Sequence, residues 1–477
     1  MELHLLAEGK KASLSSLMWF TTLRVLLLIY VTLPFTLVGL LVTRLLNYRR
    51  ATTSAPQVPS SKPSVLITGG RMTKALCLAR SFHTLGWRVV LTDGEKYKYC
   101  GPRYSTAVDA FYTHQDLAKV GKTAYLDSLK NIIIREDIDL VIPVSSPKSS
   151  LPDANLQSVI DAEVQKGVKK KPALVFHGSP EEIGTVDDKF RFCEKANELS
   201  LSAPKVFRIT SYAAVEQFPL TDYPGQQFIF KSITYNPTAR LDDNVFGAND
   251  KEKLLAYARS VEVSEKKSWV LQSYIEGQEY CTHGTAVDGE LTLFCCCESS
   301  AFQVNYVHVH KPAIEQWVAT YVGKLGLTGQ YSFDFIEDQQ GNIFPIECNP
   351  RTHTAITTFY NTTRLAESYL TKEDRLERQA ANERSNSIVP ELDAKPTYWL
   401  AHELYRIMRP LTGETSVHAL RRIWKGKEAV YDPTDPRPFL MLHYVHIPYL
   451  LLGVLRRGSQ WKRIDFNIGK IVEVGGD

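Results

Sequence analysis

Residues 25–43 read VLLLIYVTLPFTLVGLLVT, nineteen residues without a charge, bracketed by Arg24 and Arg44. At 1.5 Å per residue they form a helix of roughly 28 Å, close to the hydrocarbon core of a bilayer. Pro34 is tolerated in a membrane helix. The segment is too long, and starts too late, for the apolar part of a typical signal peptide. It reads as a retained single anchor, with a cleaved targeting sequence and an interfacial hairpin as the alternatives. Lys10, Lys11 and Arg24 precede it and Arg44, Arg49 and Arg50 follow it, so charge bias leaves its orientation open.

Whatever follows such an anchor must fold in water, because the mean hydropathy is −0.19. Apolar residues make up 44% and charged residues 23%, which is globular composition and excludes a polytopic membrane protein. The 477 residues hold about three domain-sized units. A balance of 56 Lys+Arg against 52 Asp+Glu gives no basic footprint, so no nucleic-acid partner is expected. None of the eight cysteines is spaced C-x-x-C or lies near a His pair at zinc-site spacing. They read as reduced, packed thiols, which places the folded body on the cytosolic side. Residues 51–63 (ATTSAPQVPSSKP) read as a flexible linker.

Residue 64 opens an α/β pattern. A short apolar strand (65–68), a Gly69-Gly70 turn, a helix over 72–85 and a second strand (88–92) ending near Asp93 form a βαβ unit. Residues 138–143 and 174–176 supply further parallel strands. A doubly wound domain over 64–180 is the result. The Gly-x-Gly-x-x-Gly fingerprint of dinucleotide sites is absent, with Arg71 and Lys74 where small residues are needed. Arg71, Lys74, Ser145 and Ser146 lie at the carboxyl ends of the strands, where such domains present ligands; they are either substrate contacts or ordinary loop polarity.

The most informative stretch runs from Asp187 to Arg351. Lys189 precedes a helix, and Lys231 ends the apolar strand 228–232. Two lysines on separate elements suit the oxygens of a triphosphate. Residues 331–337 (YSFDFIE) and 343–349 (IFPIECN) are two strands joined by turn chemistry (DQQGN). A turn centred on Gln340 and Gly341 sets Asp334 directly opposite Glu347, with Asn349 on the same surface. Two carboxylates and an amide would repel or starve without a cation, and magnesium takes such oxygen ligands. A general acid and base pair is the alternative. Pro350-Arg351 adds a guanidinium beside them.

Lys189, Lys231, the Gly277-x-Glu279 that follows the strand near 269–274, and Asp334, Glu347 and Asn349 resemble, in order and spacing, the ATP-grasp superfamily. That resemblance implies an α/β (α+β) ATP-grasp fold preceded by the doubly wound domain and, before it, a single transmembrane helix. It implies a hinge at Gln272, Ser273, Tyr274 and Ile275 whose backbone binds adenine, Glu279 on the ribose, and ATP with Mg2+, or Mn2+ in its place, held by Asp334, Glu347 and Asn349. The domains expected are an anchor (1–50), the linker (51–63), the pre-ATP-grasp domain (64–180), the ATP-grasp domain (181–370, lid about 205–271) and a C-terminal region (371–477) packing on the catalytic body. Residues 232–240 lack the glycines common in the phosphate loop of many members.

Further blocks resemble mycosporine-glycine synthases: LITGGRMTKAL (66–76), SSAFQ (299–303), ECNPRTH (347–353), KPTYW (395–399) and IDFNIGK (464–470). The resemblance implies an ATP-dependent ligase that joins glycine to the cyclic enolone 4-deoxygadusol, tethered to a membrane by its N-terminal helix. Arg351 is then expected on phosphate or on the glycine carboxylate. His353 and His283 are candidates for taking the ammonium proton, or else structural hydrogen-bonding residues. A ligase for another amine or acceptor, and a nucleotide-binding regulator without turnover, are the competing readings. A second apolar run, 439–455, is a buried helix or an interfacial segment beside the anchor; His443, His446 and Pro448 argue against a simple span.

Overall fold

A computed structural model describes residues 2–47, 62–144, 146–233, 244–299, 305–378, 387–408 and 416–474. The chain forms two compact units, Met1–Asp139 with Tyr398–Asp477, and Leu140–Thr397.

In the first unit, helix α1 (Glu2–Asn47) contains the apolar stretch Met18–Thr43, and none of its most apolar window is buried. Strands β1 (Ser64–Ile67), β2 (Arg88–Gly94) and β3 (Ala110–His114) pair in parallel, Val65 against Val89 and Val90 against Ala110. Strands β1 and β2 read as apolar runs because their central residues are buried. Helix α2 (Thr73–Thr84) buries Ala75, Leu76, Leu78, Ala79 and Phe82, and α3 (Leu117–Arg135) kinks at Gly121. Between β1 and α2, Gly69 takes φ 63°. Arg71, two residues on, donates to Asp93 through its backbone (2.8 Å) and its guanidinium (2.7 Å) and lies over the Tyr97 ring. Its charge is committed to Asp93. Lys74 is buried, Ser146 takes part in a local turn with Ser149, and Ser145 lies outside the described residues.

The second unit begins with the parallel pair β4 (Leu140–Ile142) and β5 (Leu174–Val175), with short helices α4 (Ser150–Asp153) and α5 (Leu156–Gln165) between them. Helix α6 (Pro180–Val186) starts from a capping box made by Ser179 and Glu182, and α7 (Lys189–Glu198) from Asp188, whose carboxylate accepts from the Phe190 and Arg191 N–H groups. Strands β6 (Val206–Ile209), β7 (Phe228–Ser232), β8 (Val245–Phe246) and β9 (Trp269–Ser273) form an antiparallel sheet in the order β6-β9-β7-β8. Helices α8 (Tyr212–Gln217) and α9 (Lys251–Ser260) pack on it around Phe218, Phe228, Phe230 and Trp269. Strands β10 (Gly277–Val287), β11 (Glu290–Glu298), β13 (Gly329–Asp338) and β14 (Ile343–Asn349) form a second antiparallel sheet in the order β11-β10-β13-β14, and the short β12 (Asn305–Tyr306) lies outside it.

Alternation decides which face of that second sheet is core. Tyr280, Phe294, Cys296, Phe333, Phe335 and Cys348 pack with α7 and helix α10 (Pro312–Leu325), whose Trp317 and Tyr321 stack. The opposite face carries Cys281, His283, Cys295, Cys297 and the polar ends of β13 and β14. Gly277 has no alternative: a Cβ there would sit 2.0 Å from the Glu337 carbonyl oxygen. The unit's described part continues through helix α11 (Lys372–Arg378).

The chain then returns to the first unit. Helices α12 (Leu400–Met408) and α13 (Ser416–Lys425) pack together, and α14 (Arg437–Met441) passes through a π-turn (Leu442–His446) into α15 (Ile447–Arg457). The second apolar run is thus a partly interior helix, burying Leu442, Ile447, Leu450, Leu451 and Val454. It also meets α1: Tyr444 Oη lies 2.5 Å from Thr36 Oγ1, and Trp461 Nε1 donates to Thr22 Oγ1 (2.9 Å).

Candidate nucleotide and metal site

The hairpin of β13 and β14 supplies the centre. Ser332 pairs with Asn349, Phe333 with Cys348, and Asp334 with Glu347, the register expected from the sequence. Nearer the turn the pairing shifts, with Phe335 opposite Pro345, so Ile346 is an extra residue in β14. The turn is one step tighter than expected because Asp338 Oδ1 accepts from the N–H groups of Gln340 (2.9 Å) and Asn342 (2.8 Å). The bulge offsets that step before the site is reached.

At the site, Asn349 Nδ2 donates to Glu347 Oε1 (3.1 Å) and Asp334 Oδ2 (3.3 Å). Lys189 Nζ lies 2.8 Å from Glu347 Oε2, and Arg351 donates to Asn349 Oδ1 (2.5 Å). Lys189 and Glu347 hold each other's charge. The lysine amine beside it pushes the Glu347 carboxyl well below its usual range, against burial, with Lys231 adding to the effect. Burial works against the Lys189 charge, yet Glu347 outweighs it and raises the Lys189 pKa. Asp334 fares the other way. Burial, then the neighbouring Glu347 and Glu279 charges, push its carboxyl well above the usual range. Its Oδ1 is buried with no hydrogen-bond partner among the described residues. A cation would remedy both defects. The donors are hard oxygens, which suits Mg2+ or Mn2+. Asn349 presents its amide nitrogen to the carboxylates as placed; rotation of the amide by a half-turn would present the oxygen. Among the described residues no group of three or more His, Cys, Asp and Glu side chains is arranged to hold a metal, so the candidate set is two carboxylates and this amide.

Lys231 sits on β7 opposite Val270, half-buried, and its charge reaches Glu347. Gln272 and Ser273 are still strand: Gln272 pairs with Val206 and Ile229, and its side chain donates to the Ile346 carbonyl (3.0 Å). The N–H groups of Ser273 and Tyr274 are bonded to the carbonyls of Lys205 and Gln227. Strand β9 ends at Ser273, so Tyr274 and Ile275 of the expected hinge follow the strand, the Tyr274 N–H being already bonded. Glu279 is exposed on β10, two residues from Cys281, which pairs with Asp334. Residues 234–240 of the expected phosphate loop lie outside the described residues.

The two histidines meet each other. The His353 N–H donates to His283 Nδ1 (3.4 Å), and His353 Nδ1 accepts from the Ala355 N–H (3.2 Å), capping the turn Thr354–Phe359. Each ring thus has its Nδ1 occupied by a backbone N–H.

Two supports carried no sequence signal. Gln330 Oε1 accepts from Thr352 Oγ1 (2.6 Å) and Tyr369 Oη (2.8 Å), and Ser150 Oγ donates to the Pro350 carbonyl (2.9 Å), fixing the segment that carries Arg351. Asp187, whose pKa burial raises while Arg351 and Lys189 lower it, lies within electrostatic reach of both cations. The cysteines near the site are buried and free, Cys281 pushed well up by burial and by Asp334.

No family model and no curated protein matches the sequence. Solved structures do. N5-carboxyaminoimidazole ribonucleotide synthetase in complex with ADP aligns at 12% identity over 76% of this chain and 88% of its own, with a TM-score of 0.51. Biotin carboxylase from Campylobacter jejuni, in complex with an ATP ligand, aligns at 15% identity over 66% of this chain and 73% of its own, with a TM-score of 0.50. At such identities the likeness speaks for the fold: this chain is α/β and has the ATP-grasp fold.

Proposed function

We propose that the chain is an ATP-dependent carbon–nitrogen ligase, and that it condenses glycine with 4-deoxygadusol to give mycosporine-glycine, ADP and phosphate. The observation that carries the ligase reading is the contact set of Lys189, Glu347, Asn349, Asp334 and Arg351 on an ATP-grasp hairpin. The choice of substrates rests on the sequence blocks at 66–76, 347–353 and 464–470.

The chemistry is that of a vinylogous acid. The enol oxygen of 4-deoxygadusol attacks the γ-phosphorus and the bond to ADP breaks, leaving an enol phosphate. The glycine ammonium gives one proton to solvent, its free amine adds to the ring carbon, the carbon–oxygen bond breaks, and the second proton passes from nitrogen to the departing phosphate. Lys189 and Lys231 hold phosphate oxygens, and the reaction is governed by positioning and electrostatics. Asp334, Glu347 and Asn349 would hold Mg2+, which supplies charge neutralisation across the phosphates when bound. The backbone at Tyr274–Ile275 takes adenine and Glu279 the ribose. Arg351, its reach set by Asn349, binds a transferred phosphate or the glycine carboxylate. His283 and His353 orient the segment after Arg351.

The test is to supply the purified chain with ATP, Mg2+, 4-deoxygadusol and each amino acid in turn. ADP release and new ultraviolet absorbance with glycine alone support the full reading. The same release with another amine overturns glycine and keeps the ligase. No ADP under any condition overturns both.

A further inference from the structure

Helix α1 is held lengthwise against its own unit. Thr22, Ile29, Thr36, Leu40 and Thr43 follow one another at spacings of seven, seven, four and three, which puts them within about 60° of arc on one side of the helix. All five are buried or half-buried. Three polar contacts run along that side. Trp461 Nε1 donates to Thr22 Oγ1 (2.9 Å), Tyr444 Oη lies 3.2 Å from Thr32 Oγ1 and 2.5 Å from Thr36 Oγ1, and the Tyr431 hydroxyl bonds to Thr43 Oγ1. From Thr22 to Thr43 is about 31 Å of helix, the thickness of a bilayer's hydrocarbon core. The chain from Tyr431 to Trp461 runs antiparallel to α1 over that whole length.

Those contacts oppose a crossing of the bilayer. A crossing α1 would carry Trp461 to one face of the hydrocarbon and Tyr431 to the other, and draw the unit between them inside. Between those points the unit exposes Arg437, Arg456 and Arg457, and Lys96 and Arg457 pair with Glu473 beside them, charges that hydrocarbon does not accept. The other side of α1 is apolar and bare. Phe20, Leu27, Val31 and Val38 fall within about 40° of arc, opposite the threonines, and are 74%, 65%, 54% and 62% exposed. With the body along one side, this face meets lipid when the helix axis lies in the membrane plane.

Charge favours lipid over a second copy as the occupant. Lys10, Lys11 and Arg24 precede the apolar stretch, and Arg44, Arg49 and Arg50 follow it. Two copies meeting on this face would set basic end against basic end in either orientation. A helix with both ends on one side of the membrane needs that same balance, because both ends then sit at anionic headgroups. Arg24, exposed near Phe20, has the reach to bring its guanidinium back to the headgroups.

We propose that α1 is an in-plane anchor rather than a span: it lies along one leaflet with Phe20, Leu27, Val31 and Val38 among the acyl chains, its threonine side on its own unit and both ends on the same side of the membrane. The unit carrying β1–β3 then rests directly on the bilayer. The inference needs α1 to bind a membrane and is independent of the ligase reading.

The test uses the full chain reconstituted into vesicles of phosphatidylcholine and phosphatidylserine. A fluorophore is attached, in separate variants, at Phe20→Cys, Val31→Cys and Leu41→Cys, with the unsubstituted chain as the labelling background, and is quenched by lipids carrying a nitroxide near the headgroup or deep in the acyl chain. The proposal expects the ratio of deep to shallow quenching to agree within two-fold at the three positions. A ratio at Val31 several-fold above those at Phe20 and Leu41 is the signature of a span and overturns it. In a second measurement the Glu8→Cys/Asn47→Cys chain in sealed vesicles is treated with a membrane-impermeant maleimide and weighed. Both ends on one side give two added labels or none on each molecule, whichever way the protein inserted; one added label on each overturns the proposal. Failure of the chain to float with the vesicles overturns it, as do probes shielded from water but quenched by neither lipid, which would mean a second copy or a protein partner.

Discussion

Replacing Asp334 by Asn should make the ligand-free protein more stable while destroying its chemistry. In the folded chain Asp334 is a buried carboxylate facing Glu347, its Oδ1 without a partner and its pKa well above the usual range through burial and like charge. A group whose folded pKa is raised adds stability below its unfolded pKa and loses it as pH rises through the folded value. At neutral pH the carboxylate is therefore a liability. Asparagine removes the charge and can turn its amide toward Glu347. Relief of one unsatisfied buried group is worth about 1–3 kcal/mol, or about 2–12 °C in melting temperature for a unit of this size. The assay is thermal unfolding of the full chain in detergent, without nucleotide or Mg2+, from pH 4 to 8. The Asn variant should melt higher at pH 7–8, with the gap closing toward pH 4. On adding ATP and Mg2+ the native protein should gain stability and the variant should gain less. A variant that melts lower than the native protein at pH 7 without ligands refutes the electrostatic reasoning.

Lys189→Ala should abolish ADP formation, read by a coupled ADP assay, with the far-ultraviolet circular dichroism unchanged. Glu347→Gln strips Lys189 of its partner; both groups are partly exposed, so the loss should be about 1–3 kcal/mol by denaturant titration at pH 7. Because the folded pKa of Glu347 is depressed, that difference is present above the usual carboxylate range and disappears on acidification through the folded value; a difference that persists in acid would contradict the pairing. Gly277→Ala places a methyl 2.0 Å from the Glu337 carbonyl oxygen, so it should destabilise by more than 1 kcal/mol and shift the melting curve visibly.

How much of this was legible in the sequence follows from which contacts are local. The β13–β14 hairpin is local: alternation and a turn rich in Asp, Gln, Gly and Asn set Asp334 against Glu347 correctly. The Ile346 bulge escaped notice because a tighter turn and an extra residue cancel in the pattern. Strands β1, β2, β7 and β9 announced themselves by short apolar runs with turn residues between. Contacts distant in sequence did not. Nothing near Arg71 shows that Asp93 and Tyr97 will absorb its charge. Nothing near Gln330 shows that Thr352 and Tyr369 will converge on it. The histidines illustrate the same limit: that a backbone N–H occupies His283 Nδ1 is decided only when residues 283 and 353 meet. The return of residues 398–477 to the first unit left no trace in composition.

The central claim is that the chain uses ATP to activate an enolone oxygen for displacement by an amine. The direct measurement is to label the oxygens of 4-deoxygadusol with oxygen-18, run the reaction with ATP, Mg2+ and glycine, and weigh the inorganic phosphate. The account predicts one labelled oxygen in each phosphate released, with one ADP and one enaminone formed. Unlabelled phosphate alongside product would contradict it.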